Sequence, residues 1–155
     1  MPLLRAALSW NFVLATAICA SLLAQLIKVL LNLFIFHRFI AERMWGAGGM
    51  PSSHSATVCA MVVATGRYCG VNSPIFAIAA VLSIIVMYDA MGVRYETGEQ
   101  AKVLNRMFTE WMDQGFEQFQ LPHDKKLKEM VGHTPIEVVT GAALGIVLGF
   151  AMPMV

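Results

Sequence analysis

Residues 10–36 read WNFVLATAICASLLAQLIKVLLNLFIF. From Phe12 to Phe36 only Gln25, Lys28 and Asn32 carry an amide or a charge. The hydrocarbon core of a bilayer, about 30 Å thick, needs roughly 20 apolar residues in a crossing helix. This run meets that length with room for tilt. With Arg5 ahead of it, the run resembles the start of a secretory leader. It continues well past the roughly 7–15 residues of a leader's apolar core, however, and no small-x-small site opens onto a polar chain. The stretch is therefore read as a retained membrane helix.

The rest of the chain has the same character. Its 155 residues are 57% hydrophobic and only 14% charged, with a mean hydropathy of +0.64. Soluble domains carry about 25% charged residues, so the deficit points to lipid. A net charge of +1 gives no electrostatic case for nucleic acid as a partner. Cys19, Cys59 and Cys69 lie in or beside apolar runs without ligand spacing, as small apolar fillers do.

Three further apolar runs cover residues 53–68, 74–90 and 135–152. Each is short for a bilayer, which predicts tilting, local thinning or burial in an oligomer. Their starts carry helix-initiating residues: Pro51 with its serines, Ser73-Pro74 and Thr134-Pro135. The expected architecture is all-α, a single polytopic membrane domain over residues 1–155 with about four transmembrane helices. A polar segment, residues 91–132, holds most of the charge. Within it, over residues 98–119, Val103, Leu104, Met107, Phe108, Trp111 and Phe119 recur at helical spacing. They predict an amphipathic helix that either lies in the membrane interface or packs on the protein's own polar cap.

Four spans place the end of the first, the start of the second, the end of the third and the start of the fourth on one side. That side holds Arg38, Arg43, Arg94, Lys102, Arg106, Lys125, Lys126 and Lys128, while the other holds Arg5 and Arg67. The bias of Lys and Arg towards cytoplasmic loops makes the crowded side cytoplasmic, the plasma membrane being the one crossed in a bacterium.

The unusual polar residues converge on the same side. In GGMPSSHSA, residues 48–56, two glycines permit close backbone approach to a ligand. A helix N-terminus offers free N–H groups and positive potential to an anion. Gly49, Ser52, Ser53 and Ser55 are candidate anion-binding residues, with Ser52 or Ser53 alternatively a helix cap. His54 can supply or accept a proton near neutral pH. GHTPIE, residues 132–137, repeats glycine, histidine, hydroxyl and proline ahead of a helix. His133 and Glu137 are four apart, so the carboxylate can orient the imidazole as a nucleophile, with Thr134 beside it. Lys28 either snorkels to the interface or offers a buried cation to an anion, on a helix face shared with Leu22, Gln25 and Asn32. Asp89 and Arg94 either pair with each other, or Arg94 grips a phosphoryl group while Asp89 steers a histidine or a metal. His37 and His123 lack such company. Two histidines, carboxylates, cations and two helix N-termini at one membrane face suit a phosphoryl group on a lipid.

GGMPSSHSA, IVMYDAMGVR (85–94), ETGEQAKVLN (96–105) and LKEMVGHTPIEVVTGAALG (127–145) together resemble the divergent relatives of phosphatidic acid phosphatase type 2. These small membrane proteins are also described as acid phosphatase or vanadium-dependent haloperoxidase-related. The resemblance implies that Pro51-Ser52-Ser53-His54 stands for a Pro-Ser-Gly-His motif, with His54 the acid for the leaving group. It implies that His133, with Glu137 for the usual aspartate, is the nucleophile. Leu127 stands where that motif has an arginine, so Lys125, Lys126, Lys128 or Arg94 must replace it. The better-known relatives have six membrane helices, and a homodimer would complete a bundle of four.

The expected function is hydrolysis of a lipid phosphate monoester or pyrophosphate without a cofactor. Two other readings stand beside it. One is an Mg²⁺-dependent lipid phosphatase using Asp89, Glu96 or Glu137. The other is a membrane protein that binds or transports an anionic lipid without turning it over.

Overall fold

The computed structural model describes residues 11–36, 49–113, 127–129 and 131–154. Expectations placed on His37, Arg38, Arg43, Phe119, His123, Lys125 and Lys126 fall outside these residues.

The described chain forms five helices: α1 Phe12–Phe36, α2 Ser53–Cys69, α3 Pro74–Met91, α4 Val93–Asp113 and α5 Pro135–Ala151. Among the described residues there is no strand. Helix starts follow the sequence signals. Ser52 caps α2 by accepting from the Ser55 N–H, and Ser73 caps α3 by accepting from the Phe76 N–H. Pro74 and Pro135 sit in first turns, where the missing N–H costs nothing. Residues 12–34 and the joined stretch 74–111 are long and apolar enough to cross a membrane, and α5 is a shorter apolar helix.

α2 is the centre of the bundle. It packs against α1, α3 and α5, and α5 also touches α1 and α3. The packing uses small residues. Thr16, Ala20 and Ala24 on α1 are fully buried or nearly so, as are Ala56, Ala60 and Ala64 on α2. Gly141, Gly145 and Gly149 on α5 are buried against α2. A side chain on Gly145 would meet the Ala56 carbonyl, and one on Gly141 the Ser52 carbonyl. Small residues four apart let helix backbones approach closely, the usual packing where lipid removes any hydrophobic gain from association. The large apolar side chains point outward instead: Leu14, Ile18 and Leu26 on α1, Ile78 and Ile85 on α3, Val147 and Phe150 on α5.

Two expectations for α1 are corrected. Leu22 is 65% exposed and belongs to the outward face, not to a polar stripe with Lys28. Lys28 itself is 2% exposed, so it does not snorkel to water. At the opposite end of the bundle, Arg67 Nη1 donates to the carbonyls of Gly149 and Met152, at 2.6 and 2.7 Å. It thereby satisfies acceptors that the end of α5 leaves without intrahelical donors.

α4 follows α3 after Gly92. Gly98, Ala101 and Asn105 form its buried stripe and face the segment leading to His133, whereas Val103, Leu104, Met107 and Trp111 are exposed. Among the described residues, packing on the protein's own polar segment uses this narrow stripe.

Candidate active site

The packing stripes also deliver the site. On α5 the buried positions 149, 145 and 141 step back by four to Glu137, and His133, 2% exposed, lies in the segment just ahead of the helix. On α1, positions 16, 20 and 24 step forward to Lys28. On α2, positions 64, 60 and 56 step back to Ser52, which is fully buried. Residues four apart share a helix face, so the contacts that hold the helices together bring Lys28, Ser52, Glu137 and His133 to one end of the bundle. The Ser52 N–H donates to the Glu137 carbonyl at 3.0 Å, and the His133 N–H to the Ala90 carbonyl at 3.1 Å. These bonds tie the start of α2 and the end of α3 to the start of α5.

Glu137 has two tasks. Its Oε2 accepts from the Thr134 N–H at 3.0 Å, closing the first turn of α5, and lies 3.1 Å from His133 Nδ1. An ionised carboxylate only accepts, so Nδ1 carries the proton and Nε2 keeps its lone pair. Nε2 is buried and, among the described residues, has no hydrogen-bond partner. Burial lowers the His133 pKa below the ordinary imidazole value, and Lys28 and Arg94 push the same way against the Glu137 carboxylate. The ring is neutral at pH 7 as a result.

A cleft is lined by His54, Asp89, Arg94 and His133, with Val86, Ala90 and Val131 completing the wall. The rings of His54 and His133 lie 6.0 Å apart, edge to face. His54 is exposed. Arg94 Nε meets Asp89 Oδ2 at 2.6 Å, with both side chains partly open to solvent. Asp89 thus engages Arg94, and Glu137 is the carboxylate that orients a histidine. Lys28 sits behind the cleft, interacting electrostatically with Glu137, His54 and His133.

The other candidate residues have supporting places. Ser52 Oγ accepts from the Ser55 N–H at 3.4 Å and from Ser55 Oγ at 3.1 Å. Ser53 Oγ accepts from Gln25 Nε2 at 3.3 Å. The three serines therefore build the start of α2 behind His54 and do not line the cleft. Gly49 has φ +90°, and a side chain there would touch the Lys28 Cδ at 3.4 Å. Its lack of a Cβ serves the turn over the lysine. Thr134 is the residue before α5 and is exposed.

Of the described cations considered as replacements for the missing arginine, Arg94 lies on the cleft, whereas Lys128 is exposed and does not line it. The carboxylates considered for Mg²⁺ do not gather. Among the described residues no three His, Cys, Asp or Glu side chains come together.

Reading the sequence missed the α5 glycine stripe, although GAALGIVLG displays its four-residue period. It also missed Asn105, whose partners Leu127 and Glu129 lie in a loop 22 and 24 positions away.

Fold and site together define an all-helical membrane protein with a paired-histidine, cation-flanked cleft at one end of its bundle. The chain matches the divergent PAP2 family over residues 9–148, and it belongs to that family. It is 38% identical over 144 residues to the uncharacterized membrane protein YuiD of Bacillus subtilis (strain 168), covering 89% of this chain and 91% of that one. No solved structure matches it.

Proposed function

We propose that the protein is a membrane-embedded hydrolase of a lipid phosphate monoester or pyrophosphate, with its cleft on the cytoplasmic face and His133 as nucleophile. The observation that carries this reading is the state of His133. One ring nitrogen is held by Glu137, the other is buried without a partner among the described residues, and the residue lines a cleft shared with His54 and Arg94.

In the first step the Nε2 lone pair of His133 attacks phosphorus. The P–O bond to the lipid breaks, and the leaving oxygen takes a proton from His54 in its imidazolium form, the minority form above about 6.5 because burial and the neighbouring His133, Arg94 and Lys28 lower its pKa. In the second step water attacks the phosphoryl group on His133 and gives a proton to His54, and the P–N bond breaks to release phosphate. Arg94 holds the phosphoryl oxygens. A half-exposed ion pair such as Asp89–Arg94 contributes only about 0–1 kcal/mol, so an incoming phosphoryl group can displace Asp89 at small cost. Lys28, buried behind the histidines, adds positive potential where negative charge develops.

The test is phosphate release by purified protein from a panel of lipid phosphates and pyrophosphates, with and without a chelator. Release that survives chelation is expected. Release that requires Mg²⁺ would replace the nucleophilic histidine with metal chemistry, and binding without turnover across the panel would make the protein a lipid-binding one.

The pH dependence follows from the His133 shift. Its folded-state pKa is lowered, so the neutral nucleophile persists as pH falls until that lowered value is crossed. The acid limb of kcat/KM is expected below about 6.5, the ordinary imidazole value. An acid limb above that value would contradict the burial argument.

A further inference from the structure

We propose that Asn105 is a positioning residue for His133, fixing the segment that delivers the histidine to the cleft; only the kinetic consequence of this role rests on the hydrolase reading above.

Residues 127–129 and 131–134 have no helix or strand of their own. Their backbone groups therefore need partners from elsewhere. Asn105 supplies them from α4. Its Nδ2 donates to the Leu127 carbonyl at 2.9 Å and to Glu129 Oε1 at 2.8 Å, and its Oδ1 accepts from the Leu127 N–H at 2.9 Å. The side-chain amide thus grips both backbone groups of one loop residue. Asn105 is 8% exposed, and asparagine is a mediocre helix former, so its place inside α4 is set by this grip.

Close approach continues the grip towards the site. A side chain on Gly98 would strike the Glu129 carbonyl, and one on Gly132 the backbone of Arg94 and Tyr95. The His133 N–H then bonds to the Ala90 carbonyl. The segment is tied at Leu127 and at His133, with two glycine contacts between. Among the described residues His133 has one side-chain hydrogen bond, to Glu137, so its backbone position decides where Nε2 points. Leu127 stands six residues ahead of His133 and is held there by Asn105.

The experiment uses the full chain in lipid nanodiscs. Asn105→Ala and Glu129→Ala would be compared with wild type by phosphate release and by NMR titration of labelled histidines, with His133 assigned from a His133→Asn sample. Asn105→Ala is expected to lower kcat about 10–100-fold, the scale of a misplaced catalytic group, with KM unchanged. Its His133 titration should move up towards the ordinary imidazole value as the loosened segment admits water. Glu129→Ala, which removes one of the three bonds from an exposed residue, should shift the titration the same way by less, and it decides the matter if Asn105→Ala does not fold. N105D/E129Q should recover the wild-type titration only in part, because the new amide can donate to the new carboxylate while the Leu127 carbonyl loses its donor, whereas N105D alone also sets two carboxylates together and should recover none of it. A His133 titration that stays at its wild-type value in both alanine variants would overturn the role. A wild type that releases no phosphate would remove the hydrolase reading, and the titration would still test the clamp.

Discussion

His133→Ala is expected to lower phosphate release by roughly 10⁴-fold or more, the scale seen when a covalent nucleophile is removed. The fold should survive. The substitution removes a buried ring with an unpartnered nitrogen and leaves the His133 backbone bond to Ala90 in place. Glu137 keeps its bond to the Thr134 N–H, so α5 keeps its closed first turn. His54→Ala should behave differently. Without the acid, turnover of an alkyl phosphate should fall steeply, and turnover of a substrate with a good leaving group should fall much less. Equal losses on both substrates would place His54 outside proton transfer. Substrate binding by His133→Ala should persist, since Arg94 and Lys28 still present positive charge to the cleft.

Gly145→Leu is expected to have the largest effect on the fold. The first atom of the new side chain already meets the Ala56 backbone, at the tightest point between α2 and α5. Overpacking against movable side chains costs about 1–3 kcal/mol. Here the obstacle is backbone, so the helices must separate and lose the Ala56 and Ala60 contacts as well. The expected outcome is a protein that does not fold, or one whose unfolding midpoint in detergent falls far below wild type. Ile146→Leu is the control. Ile146 is 43% exposed, and such an outward substitution should stay within about 0.5 kcal/mol. Similar midpoints for the two variants would show that α2 and α5 do not pack through this stripe. Any folded remnant of Gly145→Leu should also lose activity, because the same stripe carries Glu137 and His133.

What was legible in the sequence follows the range of the interactions involved. A helix start at Ser73-Pro74 and a cap at Ser52 or Ser53 were readable because a cap needs only the next three residues. The His133–Glu137 pair was readable because a residue just ahead of a helix lies within reach of a carboxylate in its first turn. The membrane character of residues 10–36 needed only length and composition. The facing of α1 was not readable. Leu22 and Lys28 can share a broad face on an isolated helix, and only the docking of Ala20 and Ala24 against Ala56 and Ala60 turns Lys28 inward and Leu22 out. The roles of Asp89 and Arg94 were open for a similar reason. Whether they pair depends on how the chain passes Gly92 from α3 into α4. Asn105 was silent because its chemistry is with backbone groups, which leave no residue-type signature. The serines of GGMPSSHSA were recognised as important. Their hydroxyls, however, are taken up by one another and by Gln25, and this depends on tertiary packing that local pattern does not encode.

The central claim is that phosphorus becomes bonded to His133. The most direct measurement is rapid quenching of the wild-type protein during turnover of a ³²P-labelled lipid phosphate, with the labelled peptide then mapped by mass spectrometry. The expected result is an acid-labile, base-stable phosphoramidate on His133 that forms and decays at rates compatible with turnover and is missing in His133→Ala. Turnover with no labelled histidine, or with the label on another residue, would contradict it.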